Sequence, residues 1–188
     1  YIIDIAKKAK LSAIILQKGI AEKYNTGHVP LIIKLNGKTK LVSGDPYSPP
    51  LCSVKEALTL KAKAIGYTLY IGSKYKEFEK VQEEAHNYKL PVIVWAYPRG
   101  KAIKNELSKD TLAYAARTAL ELGADIIKIK YNGNVEDLKW IIKSAGKAKV
   151  IIAGGSKKTE QEALQEAKEI IKKIIFENIT RTSNCCII

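Results

Sequence analysis

Short apolar runs alternate with amphipathic stretches along almost the whole chain, and this alternation limits the fold more than any other feature. Apolar runs of four to seven residues bounded by turn residues predict buried strands. Apolar positions spaced three and four apart predict helices. The pattern predicts the end of a helix at 2–10, then strands at 13–17, 31–36, 66–71, 92–97, 125–131 and 149–153. Helices are expected at 20–24, 54–64, 75–88, 109–122, 135–144 and from Thr159 to about Lys173. Ser53 with Glu56 three residues on reads as a capping box, and Gly123 reads as a helix stop.

Strand followed by helix, repeated about six times, is the signature of an α/β protein with a parallel sheet. Two architectures fit. A (β/α)₈ TIM barrel needs eight strands and about 250 residues, so a chain of 188 residues would be an incomplete one. An open doubly wound sheet needs no more than about six strands. No Gly-x-Gly-x-x-Gly follows a strand, which weakens a dinucleotide-binding reading of that second form. The chain is read as a single fragment-like domain over 1–188 with an atypical tail at 174–188. It begins at Tyr1 and has no Met, so its native start is expected upstream.

Composition narrows the partners. The net charge is +13, but the lysines are spread along the chain and only Arg99, Arg117 and Arg181 are arginines. Arginine is the residue favoured for base edges and phosphate forks, so a nucleic-acid role is not expected, whereas an anionic small substrate suits the charge. No apolar run reaches the ~18–20 residues of a membrane span, and no signal peptide opens the chain. Cys52, Cys185 and Cys186 lack metal-ligand spacing and form no disulfide framework. The expectation is a cytoplasmic protein with no metal, no cofactor and no membrane contact.

In a barrel, chemistry sits at the C-terminal ends of the strands. Three such ends carry polar groups. Lys128 and Lys130 share one face of their strand by its period of two. A buried ammonium is costly, and a neighbouring cation adds to the cost, so such a lysine tends to lose its proton and become a nucleophile. The alternative is a tilted strand whose lysines reach solvent or phosphate. Trp95, Tyr97 and Arg99 offer an apolar wall, a proton-transfer phenol and a phosphate grip, or simply core aromatics and a surface arginine. Ala153, Gly154 and Gly155 end the last predicted strand, where exposed backbone N–H groups can cradle an anion. An amine, a phenol and an anion cradle together suggest retro-aldol chemistry on a phosphorylated sugar.

The same residues carry a resemblance. Residues 94–100 (VWAYPRG), Asn105 and Glu106, 113–117 (AYAAR), 120–125 (LELGAD) and 128–131 (KIKY) resemble the archaeal-type class I fructose-bisphosphate aldolases. Residues 19–24 (GIAEKY), 34–38 (KLNGK) and 66–68 (GYT) fit the same family, and the likeness runs from about residue 11 to residue 170. It implies Lys128 as the Schiff-base lysine and Tyr97 as the proton donor. Trp95, Arg99 and Lys130 would line the substrate, and Ala153, Gly154 and Gly155 would stand where the family has a phosphate-binding Ser-Gly-Gly. It further implies metal-free, reversible cleavage of fructose 1,6-bisphosphate in glycolysis and gluconeogenesis, by a homo-oligomer. Two departures go with it. The first barrel strand with its Asp and His is expected to be missing, and the Gly-Arg grip after the last strand has no counterpart in 174–188. Two alternatives follow: a synthase of 2-amino-3,7-dideoxy-heptulosonate type, or an inactive barrel remnant that only binds.

Overall fold

The computed structural model describes residues 1–24, 26–38, 41, 43–72, 75, 77–153, 159–176 and 185–187, with backbone alone at 173–176 and 185–187. Seven strands are present among them: β1 (Ile14–Leu16), β2 (Leu31–Lys34), β3 (Ala64–Tyr70), β4 (Val92–Tyr97), β5 (Ile126–Lys130), β6 (Lys149–Ala153) and β7 (Cys185–Ile187). Helices α1 (Ile2–Lys8), α2 (Lys18–Lys23), α3 (Val54–Thr59), α4 (Phe78–Asn87), α5 (Lys109–Glu121), α6 (Val135–Ser144) and α7 (Glu160–Phe176) separate them.

Every strand pairs in parallel with the next in sequence, in the order β1-β2-β3-β4-β5-β6-β7. This order decides between the two architectures. A doubly wound sheet reverses its strand order at a switch point; here the order never reverses, as in a barrel wall. The fold is an incomplete (β/α) barrel.

Strand alternation divides the apolar residues into two bodies. The larger lies between sheet and helices: Ile33, Ile65, Val94, Ile127, Ile129, Val150 and Ile152 from the strands meet Leu112, Ala116, Leu138 and Ile141 from α5 and α6. The smaller lines the concave face and holds Ile32, Ala64, Ile93, Trp95 and Ile151, with Ile15, Tyr97 and Ile126 packed against it. An inner face this thinly filled leaves room for polar groups.

Boundaries differ from expectation where turn chemistry intervenes. The helix expected over 54–64 stops at Thr59, because Lys61 adopts a left-handed φ of 60° and the Ala62 N–H donates back to the Ala57 carbonyl. Ala64 and Ile65 then begin β3 two residues earlier than expected. The expected capping box is present: Ser53 Oγ accepts from the Glu56 N–H at 3.1 Å, and Glu56 accepts from the Ser53 N–H at 2.8 Å. The 174–188 segment, in which no strand was expected, contributes β7 beside β6, so the count of about six strands is corrected to seven described ones.

Candidate active site

β5 carries the centre of the site. Its burial alternates: Ile127 and Ile129 are fully buried under the helices, while Ile126, Lys128 and Lys130 take the opposite, half-buried face. Ile126 belongs to the concave-face cluster, so both lysines point into the barrel. Lys128 is the register partner of Trp95 on β4 and Ile151 on β6, which places it mid-wall between an indole and an aliphatic side chain.

The Lys128 Nζ stands 5.3 Å from the centroid of the Trp95 ring. Among the described residues it has no hydrogen-bond or ion-pair partner. Burial holds its amine below the ordinary lysine range, because removing an ammonium from water favours the neutral form. A neutral amine is what attack on a carbonyl requires.

Lys130 is differently placed. Its Nζ donates to Glu106 Oε2 at 2.9 Å, and Arg99 Nε donates to the same oxygen at 3.0 Å. Burial acts to raise the Glu106 pKa, but the hydrogen bonds from Lys130 and Arg99 outweigh it and leave the carboxyl below its usual range. Both cations also face the Tyr97 ring, Arg99 at 5.5 Å and Lys130 at 5.8 Å from its centroid. Burial raises the Tyr97 phenol pKa, with Arg99 opposing it, so the phenol keeps its proton near neutrality. Arg99 itself lies off the strand. Its N–H donates to the Tyr97 carbonyl at 2.9 Å, so the chain turns at Pro98 and returns the guanidinium over the ring.

Lys128, Trp95, Tyr97 and Lys130 therefore share the concave face of the sheet, with the Arg99 guanidinium returned over it. Ala153 is the register partner of Lys130 and joins the same face at the end of β6. Gly154 and Gly155, expected to cradle a phosphate, lie outside the described residues. Among the described residues, no group of three or more His, Cys, Asp or Glu stands together as metal ligands. No helix among them is long and apolar enough to cross a membrane.

Besides Glu106, three more participants escaped the reading of single strands. Lys34 on β2 places its Nζ 5.2 Å from the same Trp95 ring, and burial pushes its amine down to about 7. Asn36, fully buried, accepts from Lys34 Nζ through Oδ1 at 2.6 Å and through its carbonyl at 2.8 Å. Gly66 lies beneath the indole: a Cβ there would come within 2.5 Å of Trp95 Cζ3 and 2.8 Å of Cη2. Their one sequence signal is that 34–38 and 66–68 fall within the family-like segments.

The bare Gly66 gives a test. Gly66→Ala is expected to push the indole off its seat, lowering stability by about 1–3 kcal/mol and slowing reaction at Lys128 by ten- to a hundredfold, on the order expected for a misplacement of about 1 Å. Thermal unfolding and adduct formation at Lys128 measure the two, and a parental adduct rate would show that the indole does not position the amine.

With this geometry in view, a sequence profile of the DeoC/LacD family aldolases matches residues 1–174. The chain belongs to that family. It is 46% identical over 178 residues to the class 1 fructose-bisphosphate aldolase of Thermoproteus tenax, a match covering 92% of this chain and 68% of that protein. It is 32% identical over 171 residues to a 2-amino-3,7-dideoxy-D-threo-hept-6-ulosonate synthase of Archaeoglobus fulgidus, covering 87% of this chain and 63% of that one. A solved archaeal fructose-1,6-bisphosphate aldolase, with its catalytic lysine bound to the carbinolamine intermediate of the substrate, superposes with a TM-score of 0.88 and 41% identity. That match covers 100% of this chain and 74% of the other.

Proposed function

We propose that this chain is a class I, Schiff-base aldolase that cleaves fructose 1,6-bisphosphate reversibly to dihydroxyacetone phosphate and glyceraldehyde 3-phosphate. The observation that carries the proposal is Lys128: a half-buried amine on the concave face of a barrel strand, with a lowered pKa and no counter-ion among the described residues. The higher identity to a fructose-bisphosphate aldolase than to the heptulosonate synthase supports the choice of reaction.

In this reading the Lys128 nitrogen adds to the substrate ketone carbon, and the carbinolamine loses water to give an iminium. The C3–C4 electron pair moves into the iminium as that bond breaks, leaving an enamine and releasing an aldehyde as the C4 hydroxyl gives up its proton. Protonation of the enamine and hydrolysis free the ketone product and the amine. Tyr97 is the group for these proton transfers, since its phenol shares the wall with Lys128 and stays protonated near neutrality. Trp95 is the apolar wall. Arg99 and Lys130, two cations already poised on a carboxylate, suit a phosphate, as does the backbone from Ala153 through Gly154 and Gly155. We read 1–188 as one domain acting in glycolysis and gluconeogenesis, in the cytoplasm, as a homo-oligomer.

Incubation with dihydroxyacetone phosphate and borohydride tests the reading: a reduced adduct is expected on Lys128, found by peptide mass. Its rate of formation is expected to rise with pH as the amine sheds its proton, and to level off at lower pH than for a solvated lysine, because burial lowers this pKa. No adduct at Lys128 at any pH would sink the proposal. Cleavage of fructose 1,6-bisphosphate, assayed against transfer between sugar fragments, separates aldolase from synthase.

A further inference from the structure

Trp95 has only two charged neighbours over its ring among the described residues, and only one of them has a proposed chemical task. Lys128 stands on it with no other polar partner among the described residues, so the indole is the group there that sets where this amine rests. What sets the indole is the question. Its edge lies over Gly66, where a side chain would collide, and the Lys34 stem runs alongside, its Cδ 3.3 Å from where a Gly66 Cβ would stand. The Lys34 Nζ then sits 5.2 Å from the ring centroid.

Lys34 is itself held. Two of its N–H groups go to Asn36 Oδ1 and to the Asn36 carbonyl. Asn36 is locked in turn: its Nδ2 donates to the Thr68 carbonyl at 2.9 Å and the Ser48 carbonyl at 3.2 Å, and its Oδ1 also accepts from the Thr68 N–H at 2.8 Å. A chain of fixed contacts thus runs from β3 through Asn36 and Lys34 to Trp95, and ends at Lys128.

Among the described residues, no carboxylate lies within ion-pair distance of Lys34. An apolar side chain of the same length would fill the space without the desolvation cost of an amine. An amine placed here at that cost is used for its polar head.

Building on the Schiff-base reading above, we propose that Lys34 is a positioning residue for Lys128: tied to Asn36, it clamps the Trp95 indole against Gly66, and the indole fixes the Lys128 amine.

The test uses the 188-residue chain, with dihydroxyacetone phosphate as the probe and borohydride trapping as the readout. An adduct on Lys128 of the parent comes first; its absence defeats the Schiff-base reading and is distinct from any result on Lys34. With the parent trapped, Lys34→Met is expected to fold with a thermal midpoint close to the parent's, because the desolvation cost it removes offsets the donors lost to Asn36. Its maximal trapping rate is expected to fall about tenfold, with the half-saturating ketone concentration little changed. Lys34→Arg, whose guanidinium also stacks on an indole, is expected to recover most of that rate. In a Trp95→Leu background, Lys34→Met is expected to slow trapping by less than about twofold, because the clamp has nothing left to hold. Should Lys34→Met not fold, Lys34→Gln, uncharged but still a donor to Asn36, makes the same comparison. Trapping at the parental rate overturns the proposal. So does a tenfold loss that persists without Trp95, a loss that merely follows the folded fraction, or a parental adduct on Lys34 itself.

Discussion

Lys128→Met is expected to abolish the borohydride-dependent adduct and to lower fructose 1,6-bisphosphate cleavage on the order of a thousandfold or more. The substitution keeps an unbranched side chain between Trp95 and Ile151, so the fold should survive. What disappears is the atom that makes the covalent bond in the proposed reaction. Neither other amine on this wall can replace it. Lys130 Nζ is engaged by Glu106 at 2.9 Å, so its head is turned to a carboxylate. Lys34 donates to both oxygens of Asn36, on a strand two removed from β4. Mass analysis of the trapped protein and a coupled cleavage assay measure the two losses. Should an adduct survive in Lys128→Met, the nucleophile is another lysine.

The second large effect is on stability. Asn36→Leu is expected to cost on the order of 3–5 kcal/mol and to lower the thermal midpoint by roughly 10 °C. The reason lies in how β2 ends. Its ladder with β3 stops at Lys34 opposite Gly66, and the Leu35 N–H takes the Gly66 carbonyl. β3 runs on to Tyr70, so the Thr68 N–H and carbonyl face a place where no strand residue remains. The Asn36 side-chain amide fills it, donating to one and accepting from the other as a peptide group would. Leucine leaves both Thr68 groups and the Ser48 carbonyl buried without their partner. Asn36→Asp keeps the acceptor for the Thr68 N–H but turns an oxygen onto the two carbonyls the amide donated to, so it is expected to be destabilised as well, less so at low pH where a protonated carboxyl can donate to one of them. Calorimetry on the three proteins gives the ranking, and a Leu variant as stable as the parent would mean that water replaces the amide.

How much of this was legible in the sequence depended on whether a feature was local. β4, β6 and α6 matched their expected bounds, because apolar runs and turn residues fix them without reference to the rest of the chain. The shared face of Lys128 and Lys130, and of Trp95 and Tyr97, followed from the period of a strand alone. The role of Lys34 did not. Inside the strand expected at 31–36 a lysine at position 34 carries no local signal; what makes it matter is Gly66 on the next strand, which lets an indole from the strand beyond reach it. Glu106 was hidden for the same reason, since its partners Arg99 and Lys130 lie seven and 24 residues away. β7 was missed because three residues, Cys185–Ile187, carry too little periodicity to separate a strand from a tail.

The alternation along β5 has an evolutionary corollary. Five residues serve two neighbourhoods by parity: odd positions feed the helix-facing core, and even ones the reaction chamber. Inserting or deleting one residue inside the strand would swap the parities, sending two lysines under α5 and α6 and two isoleucines into the chamber. A one-residue change in length is therefore expected to be tolerated in the connecting loops and to disable the protein inside β5.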